Sequence, residues 1–448
     1  MLKDAWALAV KMLSLVELKR LSEQQALAQA CTSLRIRDAN AVRFGYGLAC
    51  ETLRRLNLID ALIGHVIAPM TLKDFSPQLQ SFLRLYVYHN RFACPEQSVD
   101  VDSAILTARL GRSILGWRAM MVAEPFLGFL LTCDVESIFQ GLSDESRISL
   151  ATFNPEWFVR YCIRIFGREW ALSFLRANSI APPVYIRLNT LKLSEEEILH
   201  RLYGEGLLLE KVVGLAHVYR VVSSKTRLTS VASYGEGLFY VQDKASCLAA
   251  EVAGVQPGMF VLDVCAAPGA KTTYLAQLMQ GKGLIFSVDY SARRMAAWRR
   301  EVFRMGVANT EAVLADARAN LPLGVEADVV VLDPPCTGTG AFGRYPASKW
   351  RLTEASVQRM AEVQWRMLMS CSEKVRSGGV LVYSTCSITL EENELLIERF
   401  LKWNPEFRLQ PASPWIGDQG LNELKECQRL YPHRHSCNGF FVAKLVRF

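Results

Sequence analysis

From residue 238 onward, short apolar runs rich in β-branched residues alternate with helical stretches. Strands are expected at 259–264, 284–288, 310–314, 327–332 and 379–383, with helices at 272–279, 292–305 and 354–374. Runs this short, with little polar alternation, suit strands covered on both faces. Their alternation with helices implies βαβ units and a parallel sheet. Residues 407–409 are a candidate short sixth strand, and 440–446 a last strand after a long connection. The predicted class is α/β, a doubly wound Rossmann-like sheet with its last strand reversed. Ligands of such sheets bind beyond the carboxyl ends of the strands, so the residues there carry the argument.

The first strand runs into Cys265-Ala266-Ala267-Pro268-Gly269-Ala270-Lys271-Thr272. Ala266, Ala267 and Gly269 carry nothing bulky, so a ligand can approach the backbone. Pro268 stiffens the turn, and the next helix points free N–H groups at whatever lies above it. This is not a phosphate loop, because Ala270 separates Gly269 from Lys271 where that motif needs Gly-Lys-Ser/Thr in succession. Taken alone it fits a plain strand-to-helix turn equally well. The second strand ends in Asp289, roughly 20 residues past the glycine turn, where a carboxylate accepts hydrogen bonds from ribose hydroxyls. The third ends in Asp316, within reach of an adenine amino group. Either aspartate could instead cap a helix; the two together, in this order, favour an adenosine-containing cofactor.

The fourth strand ends Asp333-Pro334-Pro335-Cys336 and the fifth Ser384-Thr385-Cys386. An aromatic residue at 336 would suit methylation of an exocyclic amine; a cysteine points to other chemistry. Carbon 5 of cytosine is too electron-poor to take a methyl group directly. A thiolate adding to carbon 6 makes carbon 5 enamine-like. A carboxyl group on the ring nitrogen and amino group stabilises the charge that develops. A base then removes the carbon-5 proton, and a second thiol can assist release of the enzyme. The alternative is a pair of buried cysteines, a residue type often found inside. Placement at ligand-binding strand ends favours the chemistry for Cys336 and Cys386, whereas Cys265 suits a buried thiol.

Residues from about 150 to 448 resemble the cytosine-5 RNA methyltransferase family that includes the nucleolar Nol1/Nop2/Sun proteins. The matching stretches are Arg187-Leu188-Asn189-Thr190, Gln242-Asp243-Lys244-Ala245-Ser246, 263–272, 333–338, Lys349-Trp350, Ser384-Thr385-Cys386 and 432–444. The resemblance implies a methyltransferase sheet in which Cys386 is the covalent nucleophile, Cys336 assists product release and Asp333 contacts the cytosine near the cofactor. It implies that Cys265, Ala266, Ala267, Pro268, Gly269, Ala270 and Lys271, with Asp289, Asp316, Asp333 and Arg294, line an S-adenosylmethionine site. Lys271 would lie near both methyl donor and base. The implied partner is RNA, ribosomal RNA first and transfer RNA next; a non-catalytic RNA-binding assembly factor is the remaining alternative. The N-terminal part is similar to the NusB-like domain of the bacterial small-subunit ribosomal RNA enzyme, chiefly through 76–85. One departure is Asn438, in His435-Ser436-Cys437-Asn438-Gly439-Phe440-Phe441, where the family often carries an acidic residue. Cys427, His433, His435 and Cys437 invite a zinc reading, but their spacing fits no standard finger; no metal is expected.

Three domains are expected: a helical one at 1–142, a small α+β one at 143–237 that helps hold RNA, and the sheet domain at 238–448. The first shows helical spacing in Leu48, Leu53, Leu56, Leu58 and Leu62, with breaks at Pro69, Pro77, Pro95 and Pro125. The second should hold helices at 156–166 and 168–177, strands at 184–188, 207–213 and 218–222, and a capping box from Ser194 to Glu197. With 50% hydrophobic and 21% charged residues the chain is globular rather than disordered. No apolar run approaches the ~18 residues of a membrane span. Residues 1–21 read as an amphipathic helix rather than a signal peptide. The twelve cysteines form no Cys-x-x-Cys pair and read as mostly buried thiols in a reducing cytoplasm, in a monomeric protein. A net charge of +7 is compatible with nucleic acid without locating a face. Lys349, Trp350 and Arg351 are the best RNA-contact candidates, since stacking and phosphate pairing could combine there. Arg293, Arg294, Arg299 and Arg300 share a helix that either meets RNA or is a solvated face.

Overall fold

The computed structural model describes residues 1–93 and 100–448, so Pro95 lies outside the described residues. Contacts group the chain into two compact units. One is Met1–Ile180 with Phe342–Leu352, the other Ala181–Ala341 with Thr353–Phe448. Among the described residues no helix is long and apolar enough to cross a membrane.

The first unit is helical. Its N-terminal helix, Leu2–Lys19, buries Trp6, Leu8, Ala9, Met12 and Leu13 and leaves a narrow charged edge with Lys3, Asp4 and Glu17. It is therefore a core helix, enclosed by helices Glu23–Leu34, Ala39–Arg54 and Pro77–Val87. Pro77 occupies the first turn of its helix behind the Ser76 cap, and Pro125 does the same in Glu124–Thr132, where a missing N–H costs nothing. Arg84, buried among these helices, forks onto Asp60 at 2.7 and 2.9 Å and reaches Glu17 at 2.7 Å.

The segment Phe342–Leu352 corrects one sequence expectation. Lys349 is fully buried, and its Nζ donates to the carbonyl oxygens of Arg54 (2.9 Å) and Phe153. The Trp350 indole N–H donates to Leu53 O at 2.6 Å. Arg351 donates to Val16, Arg20 and Leu21 oxygens at 2.7–2.9 Å. Helix ends leave carbonyls without intrahelical partners, and basic side chains satisfy them well. These three residues close the C-terminal ends of the first unit's own helices; they are not an exposed RNA-reading patch.

The second unit contains two sheets. The small one is antiparallel, with strands β1 (Tyr185–Leu188), β2 (Leu207–Lys211), β3 (Val218–Ser224) and β4 (Phe239–Val241) in the order β2-β3-β1-β4. The large one has β5 (Phe260–Val264), β6 (Leu284–Asp289), β7 (Thr310–Leu314), β8 (Ala327–Leu332), β9 (Val375–Thr385), β10 (Phe407–Gln410), β11 (Asp418–Gln419), β12 (Gln428–Leu430) and β13 (Phe440–Arg447). Its order is β11-β12-β13-β9-β8-β5-β6-β7, with β10 pairing off β13. The strands β7, β6, β5, β8 and β9 are parallel, and β13 runs antiparallel to β9. The strand order reverses direction at β5, between β6 and β8, which opens the crevice where such sheets bind ligands.

Arg187 welds the two sheets. It is fully buried and donates to Gln242 (3.1 Å), Gln277 (2.6 Å) and Thr273 Oγ1 (2.8 Å) beneath the Tyr274 ring. Asn189 donates to Gly237 O and Met305 O, both at 2.8 Å. Burying a guanidinium is tolerable only with its donors satisfied, so this stretch serves architecture.

Candidate active site

At the end of β5, Cys265 takes a left-handed conformation (φ 66°), and Gly269 (φ 110°) precedes helix Ala270–Leu278. A side chain on Gly269 would meet Trp298 at 3.2 Å, so the turn needs a glycine both for its φ and for this approach. The helix begins two residues earlier than its sequence pattern suggests, and Lys271 therefore lies in its first turn.

A cleft of about 260 Å³ opens beside this turn, lined by Cys265, Asp289, Tyr290, Asp316 and Pro335, with Met360, Val363 and Met367 on its apolar side. Asp289 is buried; its Oδ1 accepts the Ser291 N–H at 3.0 Å. Its Oδ2 lies 3.2 Å from Arg294 Nη1 yet takes no hydrogen bond. Arg294 also donates to Ala267 O at 2.5 Å, tying this carboxylate to the turn. Asp316 is engaged by Arg318, whose Nε and Nη2 donate at 3.0 and 2.6 Å. Those bonds hold Asp316 below the usual carboxylate range.

A second cluster brings Lys271, Asp333, Cys336 and Cys386 together. Lys271 Nζ donates to Asp333 Oδ2 at 2.6 Å and to Ser246 Oγ at 3.1 Å, and Ser384 donates to Asp333 Oδ1 at 3.0 Å. Burial alone would push Lys271 down, but the Asp333 carboxylate holds it above its ordinary value, with Cys386 adding to the effect. The Cys336 and Cys386 sulfurs are 3.2 Å apart. The neighbouring Cys386 sulfur and burial push Cys336 well up, and either sulfur can be the donor across their contact. The Cys386 loop is pinned from the far side. Gly340 N–H donates to Cys386 O at 3.0 Å, and Gly439 N–H to Gly340 O at 2.7 Å. A Cβ on Gly340 would fall 2.4 Å from Gly439 O, so only glycine permits this approach.

Ser246 and Ser384 stand in the family-matching stretches without a role of their own, and Tyr290 in none; all three join the site. Ser246 lies on helix Lys244–Val252, whose short alanine- and cysteine-rich pattern carries little periodicity; besides the matching stretch, its signal is Asp243 as a cap, which accepts the Ala245 N–H at 3.0 Å. In the tract that invites a zinc reading, Cys427 and Cys437 are buried, and His435 Nδ1 accepts the Tyr431 N–H at 2.9 Å.

Against this geometry, residues 251–446 match the family described as 16S rRNA methyltransferase RsmB/F, and residues 154–219 its ferredoxin-like domain. The chain belongs to the RsmB/F methyltransferase family. A 28S rRNA (cytosine-C(5))-methyltransferase of Mus musculus is 34% identical over 315 residues, 67% of this chain and 40% of that protein. A probable ribosomal RNA small subunit methyltransferase B of Synechocystis is 29% identical over 415 residues, 90% of this chain and 91% of that protein. The chain thus spans about two fifths of the mammalian relatives' length. Among solved structures, PH0851 matches with a TM-score of 0.85 at 29% identity, covering 100% of this chain and 99% of that one. NSun6 from Pyrococcus horikoshii with SFG matches with a TM-score of 0.61 at 26% identity, covering 65% of this chain and 98% of that one. This RsmB/F member therefore has relatives named for both eukaryotic and bacterial ribosomal RNA.

Proposed function

We propose that this chain is an S-adenosylmethionine-dependent RNA cytosine-5 methyltransferase acting on ribosomal RNA. The observation that carries the reading is the pair of sulfurs 3.2 Å apart beside the Lys271–Asp333 ion pair, at the carboxyl ends of β8 and β9. S-adenosylmethionine would supply an electrophilic methyl group. The cleft fits it: Asp289 Oδ2, ion-paired with Arg294 but accepting no hydrogen bond, is suited to a ribose hydroxyl, and Met360, Val363 and Met367 suit an adenine face. Cys265 and Asp316 line this cleft; we assign Ala266, Ala267, Pro268, Gly269 and Ala270, which continue the turn, and Arg294, which donates to Ala267 O, to the same cofactor site.

A target cytosine must leave its stack to reach the thiols. Cys386, having given up its proton, adds through its sulfur to carbon 6, and the electron pair of the carbon 5–carbon 6 double bond shifts into the ring; Asp333 accepts the amino N–H while the Lys271 ammonium paired with it offsets the developing charge. Ser384 and Lys271 hold Asp333 in place for this. A base then takes the carbon-5 proton, that C–H electron pair re-forms the carbon 5–carbon 6 double bond as the carbon 6–sulfur bond breaks, and Cys336 assists this departure of the Cys386 thiolate. The helical unit and the small sheet are the parts we read as holding RNA.

The test compares wild type, Cys386→Ala and Cys336→Ala with S-adenosylmethionine and unmodified cellular RNA. Nucleosides are read by mass spectrometry and covalent complexes on denaturing gels. Wild type should make 5-methylcytidine, Cys386→Ala none, and Cys336→Ala should accumulate a protein–RNA band. The size of the methylated RNA separates ribosomal from transfer RNA. A fully active Cys386→Ala enzyme would refute the nucleophile, and an inactive wild type would favour a binding factor.

A further inference from the structure

Glu392, in the turn between β9 and helix Glu394–Trp403, is fully buried and untouched by the chemistry above. Five donors converge on its carboxylate. They are the Thr337 backbone N–H (2.8 Å), the Thr337 and Ser387 hydroxyls, Thr389 Oγ1 (2.8 Å) and Gln364 Nε2 (2.9 Å). Thr337 directly follows Cys336, and Ser387 directly follows Cys386. Gln364 Nε2 also donates to Pro335 O at 3.0 Å, on the other side of Cys336. The adjacent Asn393 accepts from Thr385 Oγ1 at 2.6 Å and donates to Ser387 O at 3.0 Å, bracketing Cys386.

A carboxylate far from water is costly unless donors surround it. A helix cap would draw those donors from its own helix. Here four of the five come from the two thiol loops and their immediate continuation, and the fifth from Gln364, which is bonded to one of those loops. Satisfying the buried charge therefore fixes both loops to one point. We propose that Glu392 is the positioning residue that sets the Cys336–Cys386 separation, and with it the alignment of nucleophile and releasing thiol. This rests on the methyltransferase reading for its functional meaning, but the separation itself can be measured without turnover.

The experiment uses the full-length Glu392→Gln protein, which keeps side-chain volume and turns one acceptor into a donor facing donors. Two readouts are taken. The first is steady-state kinetics on the RNA that the wild type methylates. The second is the equilibrium of the Cys336–Cys386 dithiol with oxidised dithiothreitol. In that exchange a protein S–S bond forms, the reagent's S–S bond breaks, and both thiol protons and two electrons end on the reagent. Misplacement on the order of 1 Å costs about 100-fold in rate. The expected result is kcat lower by about tenfold or more, KM for RNA and cofactor within about twofold of wild type, and a disulfide equilibrium weakened about tenfold. An unchanged thiol equilibrium overturns the proposal whatever happens to turnover. A wild type without methyl transfer defeats the functional reading, yet leaves the thiol equilibrium to decide this one. Should Glu392→Gln not fold, Thr337→Val, which removes one hydroxyl donor, carries both readouts with a shift of about threefold.

Discussion

Replacing Lys349 by Met tests whether the basic, aromatic segment Phe342–Leu352 supports helices or touches RNA. Lys349 Nζ gives two hydrogen bonds to carbonyls, those of Arg54 and Phe153, in a fully buried position. Methionine fills the same volume and donates nothing. Each buried carbonyl stripped of its donor costs about 1–3 kcal/mol. Part of that is offset because an amine no longer has to be desolvated, leaving a net loss of about 3 kcal/mol. Burial, followed by the charges of Arg54 and Arg55, pushes the Lys349 amine well below its ordinary value. Between that lowered value and the ordinary lysine range, the unfolded chain binds a proton that the folded chain does not. Wild-type stability therefore rises with pH across that window. Lys349→Met lacks the rise, so its deficit should widen as pH increases. Urea unfolding followed by tryptophan fluorescence at several pH values measures this, with RNA affinity recorded at two salt concentrations. An unchanged unfolding midpoint, together with a salt slope reduced by about 1, would refute the helix-cap assignment and restore RNA contact.

Two further tests address the cofactor side. Asp263, buried under the turn and bonded by Thr272 Oγ1, is pushed up to about 7, chiefly by burial. Its folded form holds a proton that the unfolded chain has lost, so its contribution to stability is present below about pH 4 and lost as pH rises through 7. The advantage of Asp263→Asn over wild type should grow from about 1–2 kcal/mol at pH 5 to about 4 kcal/mol at pH 8, read from denaturant midpoints; equal midpoints at pH 8 would sink this. Asp289→Asn should raise the Kd for S-adenosylmethionine about tenfold, since a charged acceptor to a hydroxyl is lost. Calorimetric titration checks it, and an unaltered Kd would remove Asp289 from the site.

The elements that sequence predicts best are those with strong periodicity and definite ends. Strands 310–314 and 327–332 and helix 292–305 have the boundaries expected of them. Helices Lys244–Val252 and Glu394–Trp403 were not anticipated, because both are short and take their stability from packing within the second unit. The chemistry at strand ends is legible because topology makes those positions special whatever the side-chain detail. Asp333, Cys336 and Cys386 could be nominated without coordinates for that reason, whereas Lys271 entered through the family resemblance.

What the sequence determined by itself is the order of chemical groups along a parallel sheet, since apolar strands must be covered and their ends must carry the polar residues. Which polar groups face each other is a property of the packed chain. Lys349 beside Trp350 reads identically whether it meets phosphate or a helix carbonyl; only its burial decides. Arg187 and Glu392 are likewise ordinary charges in sequence. Folding removes them from water, and the cost of that transfer obliges the surrounding loops to supply their partners. The partners of Glu392 are the two thiol loops, which come together only in three dimensions.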